Sequence, residues 1–186
     1  MTPAAEFVLE ALHSNGPLYA VLDGARDRSI RHWIISTRAP SWCLYAGTLE
    51  EPLLGAAPHL LRLGRGHAYV DGLFEKGFGN AWGVFLAYSG PAKTLRRHLR
   101  TFLRVRTEDG RYLAFRWYDP RVLRLYLPTC TPGELATVFG PISAFACEGD
   151  EPGTVHVFRR QEGLLEQRLL TIPVAKAADL AAARTS

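Results

Sequence analysis

The sequence predicts an α/β (α+β) fold: a single compact domain with a mixed, largely antiparallel sheet flanked by short helices. Three observations predict it. Short runs rich in β-formers, such as residues 18–22 and 84–88, recur between Gly and Pro signals. Asp109-Gly110 separates two alternating segments, and Asp-Gly is a strong hairpin signal. Between the strands lie stretches with apolar residues at helical spacing, for example Leu95, Leu99, Phe102 and Leu103.

Taken in order, Ala4, Phe7, Val8, Ala11 and Leu12 share helical spacing over residues 4–13, and Asn15-Gly16-Pro17 stops the run. Residues 18–22 are a compact apolar run bounded by Pro17 and Asp23-Gly24, the pattern of a strand buried on both faces. Residues 27–35 fit a helix, and residues 42–46 and 59–63 fit two short strands. Gly77, Gly79 and Gly83 flank Trp82 ahead of residues 84–88, which are expected as a central strand. The helix after Ser89-Gly90-Pro91 buries Leu95, Leu99, Phe102 and Leu103 and leaves Arg96, Arg97 and Arg100 on its open side.

Residues 103–106 and 111–118 form the predicted hairpin, with Tyr112, Arg116 and Tyr118 on one face and Leu113, Phe115 and Trp117 on the other. Asp119-Pro120 supplies an N-cap and a first-turn proline for a helix over 121–127. Thr131-Pro132-Gly133-Glu134 reads as a capping box for a helix ending near Phe139, ahead of Gly140-Pro141. Strands are expected over 142–147 and 154–160, with an acidic loop between them, and Gln161-Glu162-Gly163 is expected to turn into a last strand through Leu170. The domain is expected over residues 1–172, with a fraying Ala-rich tail at 173–186.

The 186 residues are 47% hydrophobic and 22% charged, enough apolar material for one core and too much for wholesale disorder. The first ten residues carry two acids and no Lys or Arg, unlike an export signal, and no apolar run approaches the length of a membrane span. A cytoplasmic location without membrane insertion is the expectation. Three cysteines, Cys43, Cys130 and Cys147, form no close pair, so neither a disulfide framework nor a zinc knuckle is expected, and all three read as buried small hydrophobes.

The histidines show neither i, i+4 pairing nor a cysteine neighbour at ligand spacing, and no nucleophile elbow occurs. Gly64-Arg65-Gly66 and Gly77-Phe78-Gly79 read as turns, because a phosphate loop follows a strand and opens a helix. Asp23, Asp27, Asp71 and Asp119 are scattered along the chain. The expectation is a binding protein, with no catalytic residue, metal or cofactor, against the competing reading of a hydrolase whose acids the fold gathers.

Charge concentrates between Lys93 and Arg124, where Arg96, Arg97, Arg100, Arg104, Arg106, Arg111, Arg116 and Arg121 far outnumber Glu108, Asp109 and Asp119. Arginine's planar fork suits paired hydrogen bonds at interfaces. A solvated face with a few structural ion pairs fits the same residues. A nucleic-acid-binding module using this segment and its aromatics is the alternative function, with Trp117 itself fitting a core better than a contact surface.

The order of motifs resembles the effector-adaptor family of bacterial type VI secretion. The resemblance is carried by Leu18-Tyr19-Ala20-Val21-Leu22-Asp23-Gly24-Ala25-Arg26-Asp27, by Gly77-Phe78-Gly79-Asn80-Ala81-Trp82-Gly83-Val84-Phe85-Leu86, by Leu95-Arg96-Arg97-His98-Leu99-Arg100 and by Arg116-Trp117-Tyr118-Asp119-Pro120-Arg121-Val122-Leu123. Thr131-Pro132-Gly133-Glu134-Leu135 and Phe139-Gly140-Pro141 extend it, so that it spans about residues 18–145, more loosely over 46–71.

The resemblance implies an adaptor-chaperone of the Tap or TEC kind, which binds a toxic effector protein and helps load it onto the VgrG spike or a PAAR-type component. Asp23, Trp82, Arg116, Tyr118, Asp119 and Pro120 match its motif positions. From the residues, Arg96, Arg97, Arg100, Arg116, Tyr118 and Arg121 are the expected partner contacts, while Asp23, Trp82, Trp117, Asp119 and Pro120 are expected to hold the fold, Asp119 as a helix cap and Asp23 as a turn residue.

Overall fold

The computed structural model describes residues 1–12 and 16–173. Helix α1 (Pro3–Ala11) starts at Thr2, whose side chain caps it, with Pro3 in the first turn. Strand β1 (Leu18–Asp23) follows, then α2 (Ser29–Thr37), β2 (Ser41–Cys43), a single helical turn α3 (Leu53–Ala56), β3 (Pro58–Leu63) and α4 (Ala68–Gly77). The second half runs β4 (Gly83–Ala87), α5 (Ala92–Arg100), β5 (Arg104–Arg106), β6 (Tyr112–Ala114), α6 (Pro120–Tyr126), a 3-10 turn (Leu127–Thr129), α7 (Pro132–Phe139), β7 (Ala144–Glu148), β8 (Thr154–Gln161) and β9 (Leu164–Thr171). The Ala-rich tail and His13 lie outside the described residues, apart from Pro173.

Seven strands form one sheet in the order β2-β3-β1-β4-β7-β8-β9, antiparallel at every pairing. Both faces of its centre are covered, which explains why β1 and β4 are apolar throughout and do not alternate. Leu18, Ala20, Leu22, Phe85 and Ala87 pack on one face with Val8 and Leu9 of α1, Ile30 and Ile34 of α2, and Phe74 of α4. Tyr19, Val21, Val84, Leu86 and Phe145 pack on the other with Leu95 and Leu99 of α5, Leu123 of α6, and Leu135 and Phe139 of α7. Each fully buried Leu, Ile, Val or Phe contributes about 1.5–3 kcal/mol, so two such layers anchor the sheet between its helices.

Most expected elements are present within a few residues of their expected limits. Helix α4 was not among them, although Val70, Leu73, Phe74 and Gly77 recur at helical spacing on its buried side. The strand expected at 42–46 stops at Cys43, where the chain bends.

The hairpin is also shorter than expected. Its second strand ends at Ala114, and Phe115 N–H donates to the Leu103 carbonyl at its base. Arg116, Trp117 and Tyr118 therefore do not alternate across its faces. They form the turn leading into α6, with Trp117 and Tyr118 buried and Arg116 half-buried. Tertiary packing overrides the two-residue period here, because Trp117 packs against Phe102, just past α5, and Phe145 of β7, with Tyr118 edge-on to it. Of the cysteines, Cys147 is buried, whereas Cys43 and Cys130 are half-exposed.

Candidate partner-binding surface

At the end of β1, the chain passes Asp23 and turns, and five of the residues singled out in the sequence meet there. The Asp23 side chain has no solvent exposure, while the Arg116 side chain is 41% exposed. Arg116 donates from Nε to Asp23 Oδ2 at 3.0 Å and again from Nη2. The other carboxylate oxygen of Asp23 accepts from Ala25 N–H at 3.1 Å, the bond of a turn residue. Asp23 thus does what its local setting implies, and it also holds a long-range ion pair that local reading does not reach. Burial pushes its carboxyl above the ordinary value, opposed by the Arg116 hydrogen bond.

Asp119 sits beside this pair. It caps α6 by accepting from Arg121 N–H at 3.0 Å, and its carboxylate also accepts from Arg121 Nε and Nη2 at 3.0 and 2.6 Å. Burial pushes the Asp119 carboxyl up, yet the Arg121 hydrogen bonds and the charges of Arg121 and Arg116 outweigh it and hold it below the ordinary value. Tyr118, 2% exposed, lies near Tyr45, and burial drives its hydroxyl well above the usual range. It lies inside the fold, not on a contact surface.

The neighbouring loop at residues 78–82 is held by Glu148, whose carboxylate accepts from Gly79 N–H and, at 3.0 Å, from Ala81 N–H. Gly79 and Ala81 both have positive φ, which the first tolerates because it lacks a Cβ. Gly83 is required for a different reason: a Cβ there would stand 2.0 Å from the Val21 carbonyl oxygen, blocking β4 from pairing with β1. Trp82 lends its carbonyl to Asp23 N–H at 2.7 Å and sets its ring edge-on to Trp33.

Arg124 pairs with Asp150 and reaches the Glu148 carbonyl, and with Arg26, Arg121 and Asn80 it lines a groove of about 500 Å³. Sequence reasoning missed Glu148 and Arg124 as a site pair. Their separation of 24 positions leaves no local signal.

A second basic surface runs from α5 into the hairpin. Leu95 and Leu99 anchor the helix, and Arg96 is committed to the Cys43 carbonyl at 3.0 Å. Arg97 is exposed and Arg100 half-exposed, and with Lys93 they border a shallow depression of about 530 Å³. Arg104 and Arg106 continue the surface along β5, where Val105 and, across the ladder, Tyr112 and Leu113 are exposed. Among the described residues no carboxylate lies within ion-pairing distance of Arg97, Arg100, Arg104 or Arg106. Six expected contacts therefore divide: Arg97 and Arg100 face solvent, Arg96, Arg116 and Arg121 are engaged with the fold, and Tyr118 is buried.

The Asp23–Arg116 pair thus ties the end of β1 to the turn ahead of α6. Residues 18–137 match the family model described as Domain of unknown function (DUF4123). The chain belongs to that family. No curated protein and no solved structure matches it. The DUF4123 segment contains the Asp23, Arg116, Asp119 and Arg121 network and the whole basic surface, whereas β7, β8 and β9 lie beyond it. Among the described residues no group of histidines, cysteines and acids is placed to hold a metal ion, and no helix is long and apolar enough to cross a membrane.

Proposed function

We propose that this protein is an adaptor-chaperone that binds a toxic effector protein and helps load it onto the VgrG spike, or a PAAR-type component, of a type VI secretion system. The observation that carries this reading is the set Arg97, Arg100, Arg104 and Arg106, which has no carboxylate partner among the described residues, on a chain of the DUF4123 family. Unpaired arginines beside exposed Val105, Tyr112 and Leu113 combine charge with apolar area, as a surface for an acidic polypeptide requires.

The role is binding, without catalysis. Asp23 and Asp119, the acids the fold brings together, are each committed to an arginine, and burial pushes the Cys147 thiol far above the range in which it ionises. Nucleic acid is the weaker reading of the same surface. Trp117 and Tyr118 are buried, which leaves Tyr112 as the aromatic of the arginine segment most open to a base.

Co-expression with a toxin and a spike protein tests the proposal, the expected result being a complex that survives purification. Arg97→Glu with Arg100→Glu should weaken capture by about tenfold or more, with the melting behaviour unchanged, since exposed substitutions shift stability by about 0.5 kcal/mol or less. Capture that is indifferent to both reversals, or recovery of neither partner, would refute it.

A further inference from the structure

Strand β9 is an edge: it pairs with β8 along its length, and among the described residues no strand pairs with its other side. Eight residues of open ladder are a template for another strand, a liability that proteins usually blunt or use. The order of side chains here points to use. Leu164-Leu165-Glu166-Gln167-Arg168-Leu169-Leu170 reads as a charge-complementary palindrome about Gln167.

Antiparallel pairing of two copies about that residue sets Leu164 opposite Leu170, Leu165 opposite Leu169, and Glu166 opposite Arg168, each twice by symmetry. Glu166 and Arg168 already pair within one strand at 2.5 Å. Two copies would convert that pair into a closed square of alternating charge. Leu164 and Leu169, 65% and 59% exposed, would each gain a leucine neighbour from the other copy.

The hydrogen-bond phase agrees with this register. Glu162 and Gly163 both have positive φ, the signature of a two-residue turn, so Gln161 and Leu164 close the ladder as a hydrogen-bonded pair. Alternation then turns the N–H and C=O groups of Leu165, Gln167 and Leu169 outward, and these are the residues that pair with each other in the two-fold arrangement.

We infer that the chain forms a two-fold homodimer by antiparallel pairing of β9 with β9 of a second copy, joining the two seven-stranded sheets into one. The inference is independent of the adaptor reading, because β9 lies outside both the basic surface and the matched family segment.

Sedimentation of the full chain over a wide concentration series tests it, with twice the monomer mass expected at the upper end. Gln167→Pro removes an N–H that points away from β8, so the fold is kept and the dimer is lost. Glu166→Arg alone and Arg168→Glu alone set like charges opposite each other, and each is expected as a monomer with an unchanged far-UV spectrum. Mixing the two in equal amounts restores opposite charges, and a heterodimer is expected. A wild-type chain that stays monomeric throughout overturns the inference, as does a dimer that survives all three substitutions or a mixture that fails to associate. A wild-type chain that is itself monomeric and loses capture of a bound effector on Gln167→Pro overturns it by assigning the edge to the partner's strand.

Discussion

A carboxylate without solvent contact, such as that of Asp23, is stable in a protein only when its charge is answered. Arg116 answers it from 93 residues away, and the Ala25 N–H completes the arrangement. Asp23→Ala should therefore destabilise the fold by about 1–3 kcal/mol in urea titration. That is less than the loss typical of a fully buried pair, because the half-exposed Arg116 is free to rehydrate once its partner is gone. Asp23→Asn, which keeps an acceptor for Ala25, should lose less. A variant as stable as the wild type would show that the ion pair contributes nothing to the fold. Of this pair the sequence exposes one half: Asp23 after an apolar strand reads as a turn residue, and no spacing rule connects it to Arg116.

Helix α6 carries its own electrostatic signature through Asp119, whose capping role was legible from Asp-Pro alone. Its carboxyl is held below the ordinary value, so the unfolded chain binds a proton there more readily than the folded one. The stability it contributes is fully present above the ordinary carboxylate value and is lost as pH falls through the lower folded value. Asp23 has the opposite sign. Its raised carboxyl takes up a proton first in the folded state, so acidification through that higher range favours folding. Stability measured against pH should consequently show a shallower loss below about pH 4 in Asp119→Asn, and a steeper fall above about pH 4 in Asp23→Asn. Equal acid limbs in wild type and both variants would contradict these assignments. The capping box of Thr131 and Glu134 was readable for the same reason as Asp119: both partners lie within one turn. The hairpin was only half readable, since Asp109-Gly110 marks its turn but not the point where Trp117 leaves it for the core.

At the scale of the molecule, the sheet is covered on both faces at its centre, and the features it leaves open are the basic surface of α5 and the hairpin and the β9 edge. The basic surface has no carboxylate partner among the described residues, and its attraction for an acidic partner is screened over roughly 10 Å at 0.1 M salt. On the proposed adaptor reading, capture of an effector should weaken steadily as salt rises, through slower association more than faster release, as read by surface-bound kinetics in a salt series. Affinity unchanged between low and high salt would remove the arginines from the interface and leave the apolar residues of the hairpin to carry it.

What the sequence by itself determined is local: the β-rich runs, the amphipathic α5 with its basic side, the caps of α6 and α7, and the β8–β9 turn. These rest on interactions between residues a few positions apart, where spacing is the physics. Tertiary structure alone decided which arginines are free. Arg96, Arg97, Arg100, Arg116 and Arg121 look alike in the sequence, yet the fold binds Arg116 to Asp23, Arg121 to Asp119 and Arg96 to the Cys43 carbonyl, leaving Arg97 and Arg100 open. Two of those three engagements close across 53 and 93 residues. Only packing brings such groups together, because pairing depends on distance in space and burial, and neither is written in the spacing of one chain.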